Sequence, residues 1–223
     1  MSSPQSVPQV PHVTVRGEAV LLVEPELAEL DVTVRARAHD RQIALERCQA
    51  RQEDVTATVR AAGDAVEAAE TTGVTVHLET WEGGSGEPVA SVHTRLTVAR
   101  LDAVGDLVVA LGELDDVDVS GPRWHLRPDS PAVQRARLAA VRDAIRRAQQ
   151  YAAAFGAELT GLLEVSDTGL STGGFQVAAT AASMARFEAS ELRLDLTPAR
   201  QEVHGTVEAR FAMSEPDQEV FRG

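Results

Sequence analysis

Lysine and asparagine are absent from the chain, and cysteine and tyrosine each occur once. All 21 basic residues are therefore arginine, which excludes a Schiff-base lysine and the phosphate-binding lysine of a P-loop. Both missing residue types have AT-rich codons, so a GC-rich coding sequence accounts for their loss. A single cysteine makes neither an internal disulfide nor a thiolate metal centre, and it fits a reduced intracellular setting. No apolar run approaches the roughly 20 residues that span a bilayer. The opening MSSPQSVPQVPH lacks the basic and apolar regions of a secretion signal. The expectation is a cytoplasmic protein with no membrane insertion.

What the chain has in abundance is negative charge: 34 acidic residues set the formal charge at −13 and the pI near 4.9. Hydrophobic residues make up 43% and charged residues 25%, which excludes disorder of the whole chain and supplies one sizeable core or two small ones. Residues 1–11, rich in Pro, Ser and Gln, are expected to form a disordered tail. Short alternating runs at 12–16 and 19–23, separated by Gly17-Glu18, predict a hairpin. After Pro25 the alternation becomes clean, with Ala28, Leu30, Val32, Val34, Ala36 and Ala38 on one face and Glu29, Asp31, Thr33, Arg35 and Arg37 on the other. Such a strand has one wet face and belongs in an antiparallel or mixed sheet.

Helical spacing of Ala44, Leu45, Cys48, Val55, Val59 and Ala62, between a cap at Asp40 and a stop at Gly63, predicts a helix over 40–62. Strands are expected at 73–81 and 88–99, a short helix at 101–111 and an extended segment over 117–127, where Gly121-Pro122 implies a bulge or edge. A third helix is framed by Asp129-Ser130-Pro131 and Gly156. Its stripe of Leu138, Val141, Ile145, Ala148, Ala152 and Phe155 is expected to dock on the dry face of the sheet. A strand over 160–167, a loop over 168–190, closing strands at 192–196 and 203–213, and a loose tail over 214–223 complete the chain. The predicted fold is α+β: a mixed, mainly antiparallel sheet or sheets with three main helices packed on one face, in two similar halves. Residues 12–213 are expected to form one folding unit.

The opening Val13-Thr14-Val15-Arg16-Gly17-Glu18-Ala19, the Pro25-Glu26 pair and the long alternating strand resemble the start of the SIMPL-domain family. Ala90-Ser91-Val92 through Leu101-Asp102-Ala103-Val104-Gly105-Asp106-Leu107, Arg137 to Gly156, and the closing strand Val203 to Met213 are similar to it as well. The resemblance implies an α+β domain widespread in bacteria. Members are described as periplasmic immunogenic or stress-defence proteins, some assemble into ring-like or channel-like oligomers, and none has an accepted enzymatic activity. No leader is expected from the opening residues, unlike in many members, and Glu26 stands where aspartate is commoner and Arg147 where lysine is frequent.

No residue set reads as a catalytic centre, and no cofactor is expected. Cys48 falls on the apolar side of the first helix, the place of a packing residue. If the strands at 73–81 and 88–99 form a hairpin with paired numbers summing to 170, His77 faces His93 with β-carbons about 4.5–5.5 Å apart. A transition metal is then a candidate ligand for the two, with Glu79 and Arg95 beside them. Arg135, Arg142 and Arg146, with Arg137 and Arg147 adjacent, line one side of the third helix. The charge of −13 and the lack of an aromatic platform argue against nucleic acid, so this stripe is expected to be solvated or to face another subunit. Glu113, Asp115, Asp116 and Asp118 do not keep the order of a calcium loop.

These readings favour a non-enzymatic structural or interaction protein, linked to stress, that forms homo-oligomers. Arg135, Arg142, Arg146, Phe175 and Phe187 are its candidate interface. The alternative is a small-ligand or metal-binding module using the sheet face or the 168–190 loop.

Overall fold

The computed structural model describes residues 10–79, 86–167, 194 and 196–222. The loop over 168–190 with Phe175 and Phe187, most of the first tail, and Leu192 lie outside them. The chain divides into two compact units where one was expected over 12–213: residues 24–79, 86–127, 194 and 196–200 in one, and 10–23, 128–167 and 201–222 in the other. Each is an antiparallel sheet with helix on one face.

The larger unit carries the alternating strand β2 (Leu27–Arg37), helix α1 (Arg41–Ala61), β3 (Val66–Glu79), β4 (Glu87–Val98), helix α2 (Val104–Gly112) and β5 (Val117–His125), with sheet order β3-β4-β2-β5. Strand β1 (His12–Val23) belongs to the smaller unit. Strand β2 behaves as its period-two pattern demands. Ala28, Leu30, Val32, Val34 and Ala36 are at most 1% exposed and pack with Leu96 and Val98 of β4, Ala44, Cys48 and Val55 of α1, and Val104, Leu107 and Leu111 of α2. Asp40 caps α1 by accepting from the amides of Gln42 and Ile43 at 2.7 and 3.3 Å. The edge strand β5 contains a cis Gly121–Pro122 bond beside a register shift, the irregularity that the dipeptide implies. Strand β3 begins seven residues before the expected Gly73, because bulges near Glu67 and Thr72 extend its pairing with β4 past residues without alternation.

The smaller unit is a three-stranded sheet in the order β1-β7-β6, made of β1 (His12–Val23), β7 (Gln201–Met213) and β6 (Leu159–Ser166), with α3 (Pro131–Ala154) on one face. Two expectations are corrected here. Strand β1 is continuous where a hairpin was expected, and its register with β7 runs unbroken from His12↔Ala212 to Val23↔Gln201. Gly17 makes no turn; it admits the helix. A β-carbon on Gly17 would collide with the Ala140 carbonyl oxygen and stand 2.7 Å from the Ala144 nitrogen, and one on Gly205 of β7 would collide with the Ala136 carbonyl. The second correction follows from this close seating. The face of α3 on the sheet is a ridge of small residues, Ala132, Ala136, Ala140, Ala144, Ala148 and Ala152, at most 2% exposed. Leu138, Val141, Ile145 and Phe155, expected to dock, remain 37–50% exposed. A leucine on the ridge would hold the helix away from backbone it now touches.

Leu194 and Leu196, expected on a closing strand, belong to none; Leu196 packs against the core of the larger unit. Beyond β7, where a loose tail was expected, Asp217 caps a 3₁₀ turn (Gln218–Phe221), and Phe221 stacks on Phe155 with ring centroids 6.0 Å apart.

Gly17→Ala and Gly205→Ala are each expected to destabilise the chain by about 1–3 kcal/mol, the usual penalty of overpacking. Gly161→Ala on β6, where an added β-carbon meets nothing within 4 Å, should stay within about 0.5 kcal/mol of the parent. Urea unfolding midpoints of the three variants measure this, and equal midpoints for Gly17→Ala and Gly161→Ala would refute the close-seating account.

Candidate functional site

The wet face of the larger unit bears the residues first singled out for chemistry, and their register differs from the expected one. His93 stands opposite Gly73 on β3 and Thr33 on β2, while His77 stands opposite Val89. Pairs sum to 166 at this point, so the parity was right and the register slipped by two residues on each strand, separating the imidazoles along the ladder. His93 Nδ1 lies 3.1 Å from Thr33 Oγ1. Among the described residues no group of three or more His, Cys, Asp or Glu side chains converges on a possible metal position.

Around the histidines the face is a lattice of opposite charges. Arg123 reaches Glu29 and Asp31 at 2.5 Å each, Arg95 lies 3.3 Å from Glu29 and 3.5 Å from Asp31, and Glu79 joins Arg35 to Arg37. The hydrogen bond from Arg123 holds the Asp31 carboxyl below its ordinary range. Such a face is electrostatically satisfied from within. Cys48 is buried under it, and burial pushes its thiol up, which suits packing and not nucleophilic attack.

The smaller unit offers the opposite case: surface that its own chain leaves unsatisfied. Helix α3 lies over β1 and β7 and scarcely reaches β6. Between α3 and β6 runs a small groove of about 70 Å³, walled by Val141 and Ile145 on the helix and Leu162 and Val165 on the strand, over Val207, Ala209 and Phe211. Its lining contains no polar residue. Leu162 and Val165 are each 58% exposed, and Leu163 beside them is 53% exposed. Arg142 adjoins this groove on the helix surface, three residues before Ile145 and four after Leu138. Arg135, Arg137 and Arg142 are exposed and make no ion pair with a described residue.

On the other flank of α3 the sequence reading missed a buried carboxylate. Asp143, 5% exposed, accepts from the Glu18 amide at 3.0 Å, from Arg147 Nε at 2.8 Å and from Arg146. Arg146, expected in the interface stripe, is thus held on its own helix. From α3, Asp143 takes the outward Glu18 amide that a neighbouring strand would otherwise bind, so the β1 edge is blocked at that residue by a charge. The Glu18 amide, followed by the Arg147 and Arg146 guanidiniums, keeps its carboxyl below the ordinary range against the opposing pull of burial. The only trace of this in the sequence is an aspartate followed by arginines three and four residues later, a pattern common on solvated helices.

A carboxyl depressed in the folded state stabilises it fully above its unfolded pKa and progressively less as pH falls through the folded value. Asp143→Asn is therefore expected to lower the urea midpoint at neutral pH, and the gap between parent and variant should close as pH drops below about 4. A gap that is absent at neutral pH, or that stays constant into acid, would remove Asp143 from this role.

No curated protein matches the chain. A family model does, that of SIMPL, described as a protein of unknown function (DUF541), and it matches residues 13–211. This span takes in all but the first residue of β1 and the last two residues of β7, together with the other strands and the three α-helices of the described residues, and the chain belongs to the SIMPL family.

Proposed function

We propose that the chain is a non-enzymatic structural and interaction protein that associates with copies of itself through the apolar groove between α3 and β6. The observation that carries this proposal is the set of large apolar side chains around that groove. Val141, Ile145, Leu162 and Val165 line it and are all more than a third exposed, and removing such surface from water yields about 25 cal/mol per Å². A second copy is the occupant that the charges favour. The groove has no carboxylate in its lining and is bordered by Arg142, whereas the chain as a whole carries −13. An acidic copy approaching this flank meets neutral and basic groups in place of its own sign. The same net charge disfavours nucleic acid.

The sheet edges point the same way. On β1 the edge is blocked at Glu18 by Asp143, on β5 it contains Pro122, and on β3 it carries Glu67, Glu70 and Glu79 together with two bulges. Strand β6 also has irregular register. Its one charge, however, is Glu164, 3.4 Å from Arg210, and its outer edge is unpaired among the described residues. Stress-related activity, suggested by family resemblance, would then be exercised by an assembly and not by a catalytic group.

Sedimentation velocity across the micromolar range is expected to show a dimer or larger species. Ile145→Glu combined with Leu162→Glu should shift it to monomer with unchanged circular dichroism, weakening association by about thirtyfold or more if either side chain is an anchor. A parent chain monomeric at every concentration, or a double variant of unchanged mass, would overturn the proposal.

A further inference from the structure

The flank of α3 opposite the groove holds a cavity of about 330 Å³ between β1 and the C-terminal half of the helix, a size within the range of small-molecule sites. Its wall is unusual for so acidic a chain. His12, Arg16 and Arg147 contribute to it and no carboxylate does. Tyr151, the chain's one tyrosine, and Phe155 line it from the helix, Phe155 being held in place by its stack on Phe221.

Two features give this wall a direction. Asp143 takes Arg147 by Nε at 2.8 Å, and the two terminal nitrogens of that guanidinium have no partner among the described residues. A guanidinium anchored through Nε offers those nitrogens as a fork matched to a carboxylate. The second feature is the β1 edge. Because the Glu18 amide points outward to Asp143, and residues of an antiparallel strand alternate in the direction of their backbone groups, the amides of Thr14 and Arg16 also point to the free edge. Neither amide has a partner there among the described residues.

We propose that this cavity binds a small aromatic carboxylate. The carboxylate sits on the Arg147 fork and the outward amides of Thr14 and Arg16, and the ring lies against Val13, Tyr151 and Phe155. Asp143 acts as a positioning residue, fixing the guanidinium by one side so that the other is available. The site is independent of self-association, since it lies on the opposite flank of α3 from the groove.

The single tyrosine makes the test direct. Full-length protein labelled with 3-fluorotyrosine carries one fluorine, at Tyr151, and is titrated with phenylacetate while its ¹⁹F resonance is followed. The expected result is a saturable shift in the millimolar range or below, with benzyl alcohol, the uncharged counterpart, binding about tenfold more weakly. Arg147→Gln should weaken phenylacetate by about tenfold or more. Thr14→Pro, acceptable on an edge strand because the lost amide faces outward, should weaken it severalfold and leave benzyl alcohol unaffected. An unmoved resonance, equal binding of the acid and the alcohol, or an Arg147→Gln variant that binds like the parent would each overturn the assignment.

Discussion

The smaller unit depends on one close contact between backbones. Gly17 and Gly205 stand in adjacent strands, and the carbonyls of Ala140 and Ala136 press onto them where any side chain would intrude. Helix and sheet usually meet through interdigitated large side chains. Here the helix presents alanine at every fourth position, and the sheet presents bare backbone. Little apolar area is buried per residue in such a contact, but it fixes the helix closely in position, because dispersion falls steeply with any gap. Hydrogen bonds to Asp143 from a strand amide and two arginines then fix the rotation of the helix about its axis.

That seating explains why the large residues of α3 remain at the surface. With the ridge at 132, 136, 140, 144, 148 and 152 committed to the sheet, Leu138, Val141 and Ile145 are turned to one flank and Arg147 to the other. One flank becomes an apolar groove facing β6, and the other a basic cavity along β1. Both follow from the same two glycines, yet they differ in chemistry because Asp143 lies on one flank only. In the larger unit the division is different. Leucine and valine from β2, β4 and α2 interdigitate in a conventional core, and the charges of the wet face neutralise one another across strands.

Much of this architecture was legible in the sequence where a pattern has one physical meaning. The alternation from Ala28 to Ala38 can build only a half-wet strand, and Asp40 and Ser130 each precede an apolar period as caps do. Reading failed where residue type and role come apart. Gly17 between two alternating runs is a turn signal by composition, but glycine also serves close approach, and only the partner helix decides between the two. Leu138, Val141, Ile145 and Phe155 have good helical spacing and carry more hydrophobicity than alanine, so by pattern alone they read as the core face. Counting alanine at intervals of four would have found the ridge, and a second glycine at Gly205 in a strand was the available hint that something small must pack there. The histidine pair depended on register, which runs unbroken from Gly73↔His93 to Glu79↔Glu87, and a period-two alternation reads the same after any even slip.

A general constraint of size links the two units. A helix with its side chains is about 10 Å across, and neighbouring strands lie about 4.8 Å apart, so one helix covers about two strands. In the larger unit α1 serves β2 and β4 and α2 serves β5, and the uncovered strand is β3, where Val74 and Leu78 are 61% and 56% exposed. In the smaller unit α3 serves β1 and β7, and the uncovered strand is β6. Each sheet is thus one strand wider than its helices can cover. The two surplus strands are treated unequally. Strand β3 sits among glutamates with arginine partners at Glu67 and Glu79, which keep water and counter-charge close. Strand β6 has one ion-paired glutamate and an apolar neighbour in α3. Coverage by another molecule is therefore worth more at β6 than at β3, since less charge must be desolvated for the same apolar area.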